Sequence, residues 1–384
     1  MKKPFRFCRI WPAKGKIRFR DLAPVRLILT VLSLVIIGLY YLLRGNTAFM
    51  AQVYRSVTKP YHVFMARLCS YVSFSVAELT WTAAIVFCLV YLIVQIVLLV
   101  RRSGRGKRIY RTALTLLMVA SLFWAGFSLF WSPCYDAPTF AEQSGISDGA
   151  VSAEDLASVT RYIAALANTY SGAVTRDADG VCVVGRASAL DRAAVVYRGA
   201  VERWPFLAGA ELRPKAAVFS YLMSSIDFTG YFFPMTGEAN INVDSPSMFL
   251  PETAEHEISH QRGIAKEQEC NFIAAAACLS SDDAEYRYSG ALMAYTYLAN
   301  ALYLADNDAW KDVVYSLNDQ VKADLNANNN YWAQFEKTVT KKASNQVYGD
   351  FLAGNGQTLR LKSYGACVDL LVNYYAAEAK QAQN

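Results

Sequence analysis

The chain of 384 residues contains eight cysteines, but they follow no recognisable spacing. It has no Cys-x-x-Cys pair, and five cysteines, an odd number, fall after residue 131. An odd count without a pattern argues against a disulfide framework, so we predict free or buried thiols. Histidine is scarcer still, with three residues in the whole chain.

Charged residues are missing from three apolar runs in the first third of the chain, at roughly 27–43, 79–100 and 113–131. Each run is near the length that a helix needs to cross the hydrocarbon core of a bilayer. The single acid at their edges is Glu78, and no basic residue lies inside them. Because an ion pathway needs ionisable groups within the spans, this pattern disfavours a transporter.

Basic residues flank the three runs unevenly. Residues 1–26 contain nine Lys and Arg and residues 101–111 contain six, whereas residues 44–78 contain four. Since the basic segments stay on the cytoplasmic side, the N-terminus and the second loop are predicted to lie inside the cell. Three crossings then place the remainder of the chain outside the plasma membrane.

The chain is therefore predicted to have four parts: a basic cytoplasmic N-terminus (1–26), a three-helix transmembrane region (27–131), a linker (132–150) and an extracytoplasmic domain (151–384). After residue 131, 19 Lys and Arg stand against 30 Asp and Glu, although the whole chain carries +6. The basic excess thus reflects topology and contact with the lipid bilayer, so nucleic acid is excluded as the expected partner.

The last domain is predicted to be mostly helical, because apolar residues recur in it at helical spacing. The residues Ala239–Val243 alternate between polar and apolar, which predicts a short, half-exposed edge strand. A helix is predicted from Pro251 to a left-handed cap at Gly263. Further helices are predicted at roughly 267–279, 283–304, 308–325, 330–352 and 359–378, with breaks at 326–330 and 354–356. The apolar stretch 291–304 favours a buried helix over a fourth span.

Two of the three histidines, His256 and His260, stand four residues apart in the motif His-Glu-Ile-Ser-His. Residues four apart share one face of a helix, so both imidazoles are predicted to bind one zinc ion. Glu257 between them is placed to polarise a metal-bound water. The third histidine, His62, lies near the first two apolar runs, and we assign it no role.

A catalytic zinc ion has three protein ligands and one position open for water. The third ligand must come from outside the motif, and Glu267 and Glu269 are the candidates. Glu267 and Asn271 form Glu-x-x-x-Asn, which resembles the Glu-x-x-x-Asp of the second helix in gluzincin metallopeptidases. That resemblance implies that Glu267 binds zinc and that Asn271 supports a ligand histidine. Glu269 remains the alternative ligand.

A wider resemblance is carried by four segments, at residues 233–242, 250–263, 267–274 and 286–290. They read FPMTGEANIN, LPETAEHEISHQRG, EQECNFIA and YRYSG. Together they resemble an uncharacterised family of bacterial multi-pass membrane proteins with an HExxH zinc-peptidase domain. The resemblance covers roughly residues 20–375. It implies the membrane layout above and a zincin-like α+β outer domain, and it says little about the substrate.

We therefore expect a membrane-anchored zinc metallopeptidase that hydrolyses a peptide or protein substrate outside the plasma membrane. Glu257 is the expected general base. Tyr288, or alternatively Tyr231, is expected to donate its phenol hydroxyl to the oxyanion. One alternative is a non-enzymatic zinc site in a sensor or envelope-assembly scaffold, where Cys270 could add a thiolate ligand. A transport or scaffold protein with an incidental motif is the other.

Overall fold

The computed structural model describes residues 22–101, 104–336 and 364–382. Most of the predicted cytoplasmic N-terminus lies outside these ranges, as do most of the predicted helix 330–352, the predicted break at 354–356 and the start of the predicted helix 359–378. Within them the protein is mostly helical and contains one small sheet of three strands. The predicted mainly α composition is therefore confirmed.

Three helices are long and apolar enough to cross a membrane: α1 (Pro24–Leu43), α4 (Val76–Arg101) and α5 (Arg105–Phe130), the last counted together with the short helix that follows it. Most of their large apolar side chains are exposed on the outside of the protein. Helix α1 packs along α5, whereas α4 contacts α5 only sparsely. The three apolar helices predicted from the sequence are thus present.

The segment between α1 and α4 contacts the part of the chain that follows α5. It contains α2 (Thr47–Val53), a π-helical turn (Tyr54–Thr58) and α3 (Lys59–Cys69). The Tyr54 hydroxyl donates a hydrogen bond to the carbonyl of Arg262 (2.5 Å), and the Tyr61 hydroxyl donates to the carbonyl of Met235 (2.9 Å). The segment therefore joins the apolar helices to the C-terminal domain, whose described residues are 133–336 and 364–382.

The predicted linker 132–150 contributes to the core of this domain. It forms α6 (Pro133–Asp136) and α7 (Phe140–Ser144). Phe140 is fully buried, and its ring packs against the rings of Trp204 and Phe272. The proline and glycine content of the segment indicated turns. That composition does not show that the Phe140 side chain reaches the core.

The C-terminal domain continues with nine helices within the described residues: α8 (Ala153–Ser171), α9 (Arg186–Arg203), α10 (Ser220–Ser225), α11 (Leu250–Gln261), α12 (Glu267–Ser280), α13 (Ala284–Ala305), α14 (Asn307–Ser316), α15 (Asp319–Ala333) and α16 (Tyr364–Gln381). Helix α13 packs against α8 and α12 at the centre of the domain. Its apolar stretch 291–304 includes the fully buried Ala291, Leu298 and Leu302. That stretch belongs to a core helix, as the sequence favoured, and α13 is not among the three described helices that could cross a membrane by their length and composition.

Two predicted boundaries among these helices are wrong. The single helix predicted at 308–325 is divided into α14 and α15, because the side chain of Asn318 caps the start of α15 by accepting a hydrogen bond from the backbone of Val321. The break predicted at 326–330 instead lies inside α15. The helix continues through that stretch, where the side chain of Asn328 accepts a hydrogen bond from Nε1 of Trp332 (3.1 Å).

The sheet consists of β1 (Lys215–Ala216), β2 (Gly230–Phe233) and β3 (Glu238–Ile241), in the order β1-β3-β2. Strand β3 is parallel to β1 and antiparallel to β2. The predicted edge strand 239–243 therefore lies at the centre, and all four residues of β3 are buried. Its polar Asn240 is tolerated there because the Ser75 hydroxyl donates to its side-chain oxygen (2.6 Å). The edge strand before α11 is β2.

Candidate metal centre

Helix α11 is bounded by two residues with special backbone properties. Pro251 occupies its first turn, where a backbone N–H would lack a partner. Gly263 follows its end with φ +93°, a left-handed conformation that favours glycine. A Cβ at Gly263 would also overlap the ring of Tyr54. The predicted left-handed cap is confirmed, and the reversal leads directly into α12, which begins at Glu267.

This reversal brings His256, His260 and Glu267 together. The Nε2 atoms of the two histidines lie 3.1 Å apart, and Oε2 of Glu267 lies 3.2 and 3.4 Å from them. In a tetrahedral zinc site with bonds of about 2.0–2.1 Å, the ligand atoms are roughly 3.3 Å from one another. The three donor atoms therefore have the spacing that one such ion requires.

The tautomer of His260 is set by the backbone. Its Nδ1 lies 2.7 Å from the carbonyl oxygen of Ile264. Because a carbonyl only accepts, Nδ1 donates the hydrogen and Nε2 keeps its lone pair for the cluster. The support predicted from Asn271 thus comes, for His260, from Ile264. Asn271 lines the cavity in front of the cluster instead.

Cys270 lies beside the same nitrogen of the His260 imidazole as Ile264 does. Its Sγ lies 3.4 Å from Nδ1 of His260 and 3.4 Å from the carbonyl oxygen of Ile264. The thiol is therefore beside the nitrogen that faces away from the cluster. Within the described residues, the ligand group around this point consists of two imidazoles and the Glu267 carboxylate.

Glu269, the alternative ligand, is directed elsewhere. Two residues along a helix correspond to a rotation of about 200°, so Glu267 and Glu269 lie on nearly opposite sides of α12. The Glu269 carboxylate accepts hydrogen bonds from the backbone of Phe140 and Ala141, at the start of α7. Of the two candidates, only Glu267 lies in the cluster.

The cluster favours a positive charge at its centre. Burial lowers the pKa of His256, but the Glu267 carboxylate beside it outweighs that effect, and the pKa is raised. Burial acts on Glu267 in the opposite sense, yet the imidazole of His260 holds its pKa well below the ordinary range. A carboxylate and two imidazoles at this spacing can share a proton or hold a divalent cation.

Glu257 lies next to the cluster on the same helix and is buried. Burial raises its pKa to about 7, while His256 and His260 act against that rise. Its Oε2 atom is buried and has no hydrogen-bond partner within the described residues. That oxygen is consequently available to a reacting group.

A cavity of about 940 Å³ lies in front of the cluster. Its polar end contains His256, Glu257, His260 and Glu267. Strand β2 passes directly beside this end. Gly230 is so close to Glu257 that a Cβ added to the glycine would lie 2.6 Å from Oε1 of Glu257. The Glu257 carboxylate, the His256–His260–Glu267 cluster and strand β2 therefore all border the same end of the cavity.

Tyr288 does not line this cavity, although the sequence analysis placed it beside the metal. Its hydroxyl donates to the carboxylate of Asp324, and the guanidinium of Arg176 lies over its ring at 5.7 Å. The structure corrects the prediction, because Tyr288 belongs to a buried cluster in the core. The alternative donor, Tyr231 on β2, does line the cavity.

Three aromatic residues at the polar end of the cavity were missed by the sequence analysis: Trp131, Tyr135 and Tyr297. The ring of Trp131 meets that of His260 edge-on at 5.9 Å, and its Nε1 lies 3.4 Å from the Tyr135 hydroxyl. These residues come from the end of an apolar helix, the predicted linker and α13. No local pattern marks them, because only the folded chain brings them together.

Comparison with known proteins identifies a family but no activity. A family model described as "Protein of unknown function (DUF3810)" matches residues 49–372. No curated protein and no solved structure matches the chain. The matched range includes α4, α5 and the entire metal-ligand cluster. The expected membership of an uncharacterised family is confirmed, and the family description mentions neither a metal nor a peptidase.

Proposed function

The chain belongs to this family of proteins of unknown function, DUF3810, and we propose that it is a membrane-anchored zinc metallopeptidase. The observation that carries the proposal is the separation of the three donor atoms, at 3.1, 3.2 and 3.4 Å. That spacing suits one tetrahedral zinc ion whose fourth position faces the cavity. The order of the small sheet, α11 and α12 supports a zincin-like arrangement of the domain.

We place the three apolar helices across the plasma membrane. Helices α1, α4 and α5 contain 20, 26 and 26 residues, which suffices to span the hydrocarbon core. The basic residues of 1–26 and 101–111 favour a cytoplasmic location for both segments. The C-terminal domain and its cluster then lie on the outer side, where the substrate is a peptide or protein.

The reaction that this site suits is hydrolysis of a peptide bond. When bound, zinc supplies Lewis acidity that lowers the pKa of a water molecule and polarises a carbonyl. Glu257 accepts a proton from the attacking water through Oε2 and passes it to the leaving amine. The oxygen of the water is left on the carbonyl carbon, and the C–N bond breaks.

Two elements of β2 serve the same reaction. Its unpaired edge can bind the extended backbone of a substrate as an additional strand. Its Tyr231 lines the cavity and would donate the phenol hydroxyl to the developing oxyanion. Gly230 allows the strand to approach Glu257 closely, so the backbone of a substrate paired with β2 would lie next to the general base.

The position of Cys270 supports a catalytic site over a structural one. Structural zinc sites fill all four positions with protein ligands, often thiolates. The Cys270 thiol is beside Nδ1 of His260, away from the Nε2 atoms that would hold the ion. Three protein ligands that face a cavity are the arrangement of a catalytic site.

The first test is the zinc content of the full-length protein, purified in nanodiscs and measured by elemental mass spectrometry. We expect about one zinc per chain, lost in Glu267→Gln and retained in Glu269→Gln. The two variants are matched, because both remove one carboxylate from the first turn of α12. Equal zinc content in the two variants, or no zinc in the folded wild-type protein, would contradict the proposed site.

The second test addresses the reaction. Glu257→Gln should keep its zinc and lose about 10²- to 10⁴-fold in the rate of peptide hydrolysis, because a general base contributes roughly that factor. The measurement is cleavage of a peptide library followed by mass spectrometry. Zinc binding without Glu257-dependent hydrolysis would instead support a non-enzymatic sensor or scaffold.

A further inference from the structure

The cavity in front of the metal-ligand cluster continues between two of the apolar helices. Its apolar end is lined by side chains from α4 and α5: Trp81, Thr82, Ile85, Val86, Phe123 and Phe127. The α4 positions recur at intervals of three to four residues, so they form one stripe on that helix. The same cavity thus has a polar end at the cluster and an apolar end along the helices.

This apolar end opens sideways. The side chains of Ile85 and Val86 line the cavity, yet they are 57% and 53% exposed. Helix α4 contacts α5 only sparsely, and none of its most apolar 18-residue stretch is buried. The gap between α4 and α5 therefore leads from the cavity to the surface that the proposed function places in lipid.

Strand β2 connects the two ends of the cavity. At its start Gly230 lies against Glu257, and at its end the ring of Phe233 is 5.2 Å from that of Trp81 on α4. Three residues of a strand span about 10 Å. A polypeptide paired with β2 would consequently have one part at the base and another part, about 10 Å away, against the apolar helix.

The edge of β2 also indicates the chemical class of the occupant. It offers backbone N–H and C=O groups in alternation, and these match the backbone of another polypeptide. Within the described residues β2 pairs with β3 alone, and all four of its residues line the cavity, so a polypeptide in the cavity can reach its other edge. The acyl chain of a lipid could fill the apolar end, but it has no groups that would pair with the strand.

We propose that the substrate is a polypeptide with an apolar segment embedded in the bilayer, which enters between α4 and α5 and is cleaved just outside the membrane. The inference rests on the proposed function and specifies its substrate. The length of β2 places the scissile bond within about four residues of the end of the apolar segment, because strand residues advance by about 3.3 Å each.

The test uses the full-length protein in vesicles of phosphatidylethanolamine and phosphatidylglycerol. One probe is a library of random polar decapeptides, each joined to a 20-residue Leu/Ala helix, and the other is the same library without the helix. We expect at least tenfold faster cleavage of the anchored library, with cuts within about four residues of the helix. Equal rates for the two libraries would leave the peptidase proposal standing and overturn this inference.

Two isoleucines of α4 provide a matched pair of variants. Ile85 and Ile93 are 57% and 60% exposed, but only Ile85 lines the cavity. Ile85→Trp should narrow the entrance and reduce cleavage of the anchored library at least tenfold, whereas Ile93→Trp should leave it unchanged. An equal response of the two variants would also overturn the inference.

Cross-linking tests entry without depending on hydrolysis. The photoreactive residue p-benzoylphenylalanine is introduced at Ile85 or at Ile93 in the Glu257→Gln protein, and the anchored library is added. We expect capture of the peptide mainly from position 85, even if the protein hydrolyses nothing. Equal capture from both positions, or capture of phospholipid instead of peptide at position 85, would contradict a polypeptide substrate.

Discussion

The C-terminal domain contains two clusters of buried or half-buried ionisable side chains that differ in where their polar atoms point. We call Arg176, Tyr288 and Asp324 the closed cluster, and His256, His260 and Glu267 the open cluster. In the closed cluster, the fully buried Asp324 accepts hydrogen bonds from Arg176 (3.0 Å), from the backbone of Cys182 (2.6 Å) and from Tyr288. Its carboxylate is satisfied by the chain alone.

In the open cluster, the backbone holds the imidazole of His260 by the nitrogen that faces away from the cluster. The carbonyl of Ile264 holds Nδ1 of His260, while the Nε2 atoms and the Glu267 carboxylate converge beside a cavity. Burial and charge are present in both clusters, so neither property distinguishes a binding site from a structural ion pair. The difference lies in donor atoms that face a space which a ligand can enter.

The largest effect on folding is expected in the closed cluster, from Asp324→Ala. Removing one partner of a buried ion pair leaves the charge of Arg176 uncompensated, so the free energy of unfolding should fall by about 3–5 kcal/mol. Zinc content per folded molecule should not change. The measurement is unfolding of the full-length protein in detergent, together with its zinc content.

Asp308→Ala is the control for that experiment. The Asp308 side chain on α14 is 93% exposed and pairs with Lys311 at the surface, so its loss should leave the free energy of unfolding essentially unchanged. If Asp324→Ala were as stable as this control, or if it lost zinc while folded, the two clusters would not be independent.

The next largest effect concerns one glycine beside each cluster. Gly263 and Gly180 both have positive φ, at +93° and +77°. Gly180→Ala should cost about 1–2 kcal/mol from backbone strain alone, because nothing lies within 4 Å of its added Cβ. Gly263→Ala should cost about 2–4 kcal/mol, since the Cβ also overlaps the ring of Tyr54.

The same pair should differ in metal affinity. Gly263 precedes Ile264, whose carbonyl holds His260, so a shift of the backbone there should accelerate zinc release. Gly180→Ala should leave the rate of zinc release at the wild-type value. Equal rates of release in the two variants, measured with a chromogenic chelator, would show that the turn does not position the histidine.

Within the closed cluster, a smaller effect on stability than that of Asp324→Ala is expected from Tyr288→Phe. The change removes one hydrogen bond to the buried Asp324, which should cost about 1–3 kcal/mol. Peptide hydrolysis per folded molecule should be unchanged, whereas Tyr231→Phe, at the cavity, should lower kcat. If hydrolysis were lost in Tyr288→Phe at normal stability, the role first predicted from the sequence would be restored.

Much of the fold could be predicted because its signals are local. The three apolar helices follow from long uncharged runs, and α11 and α12 follow from helical spacing, Pro251 and Gly263. The reversal at Gly263 indicated that a residue early in α12 would meet His256 and His260, and the gluzincin resemblance favoured Glu267 over Glu269 for that position.

Other features depend on contacts between residues far apart in the chain. Ala239–Val243 alternates like an edge strand, but β3 is central because Lys215 on β1 pairs with the buried Glu238 (2.7 Å). The chain has 24 tyrosines, and no sequence pattern shows which of them faces the cavity. The sequence therefore could not show that Tyr231, and not Tyr288, lies there.

The sequence by itself determined the three long apolar helices and the helical spacing of His256 and His260, since both depend on residues along one segment. Only the tertiary structure decided what faces the cavity. The apolar helices α4 and α5, strand β2 and helices α11 and α12 together bound the space in front of the cluster. A cavity is bounded by surfaces from many segments, and no single segment encodes it.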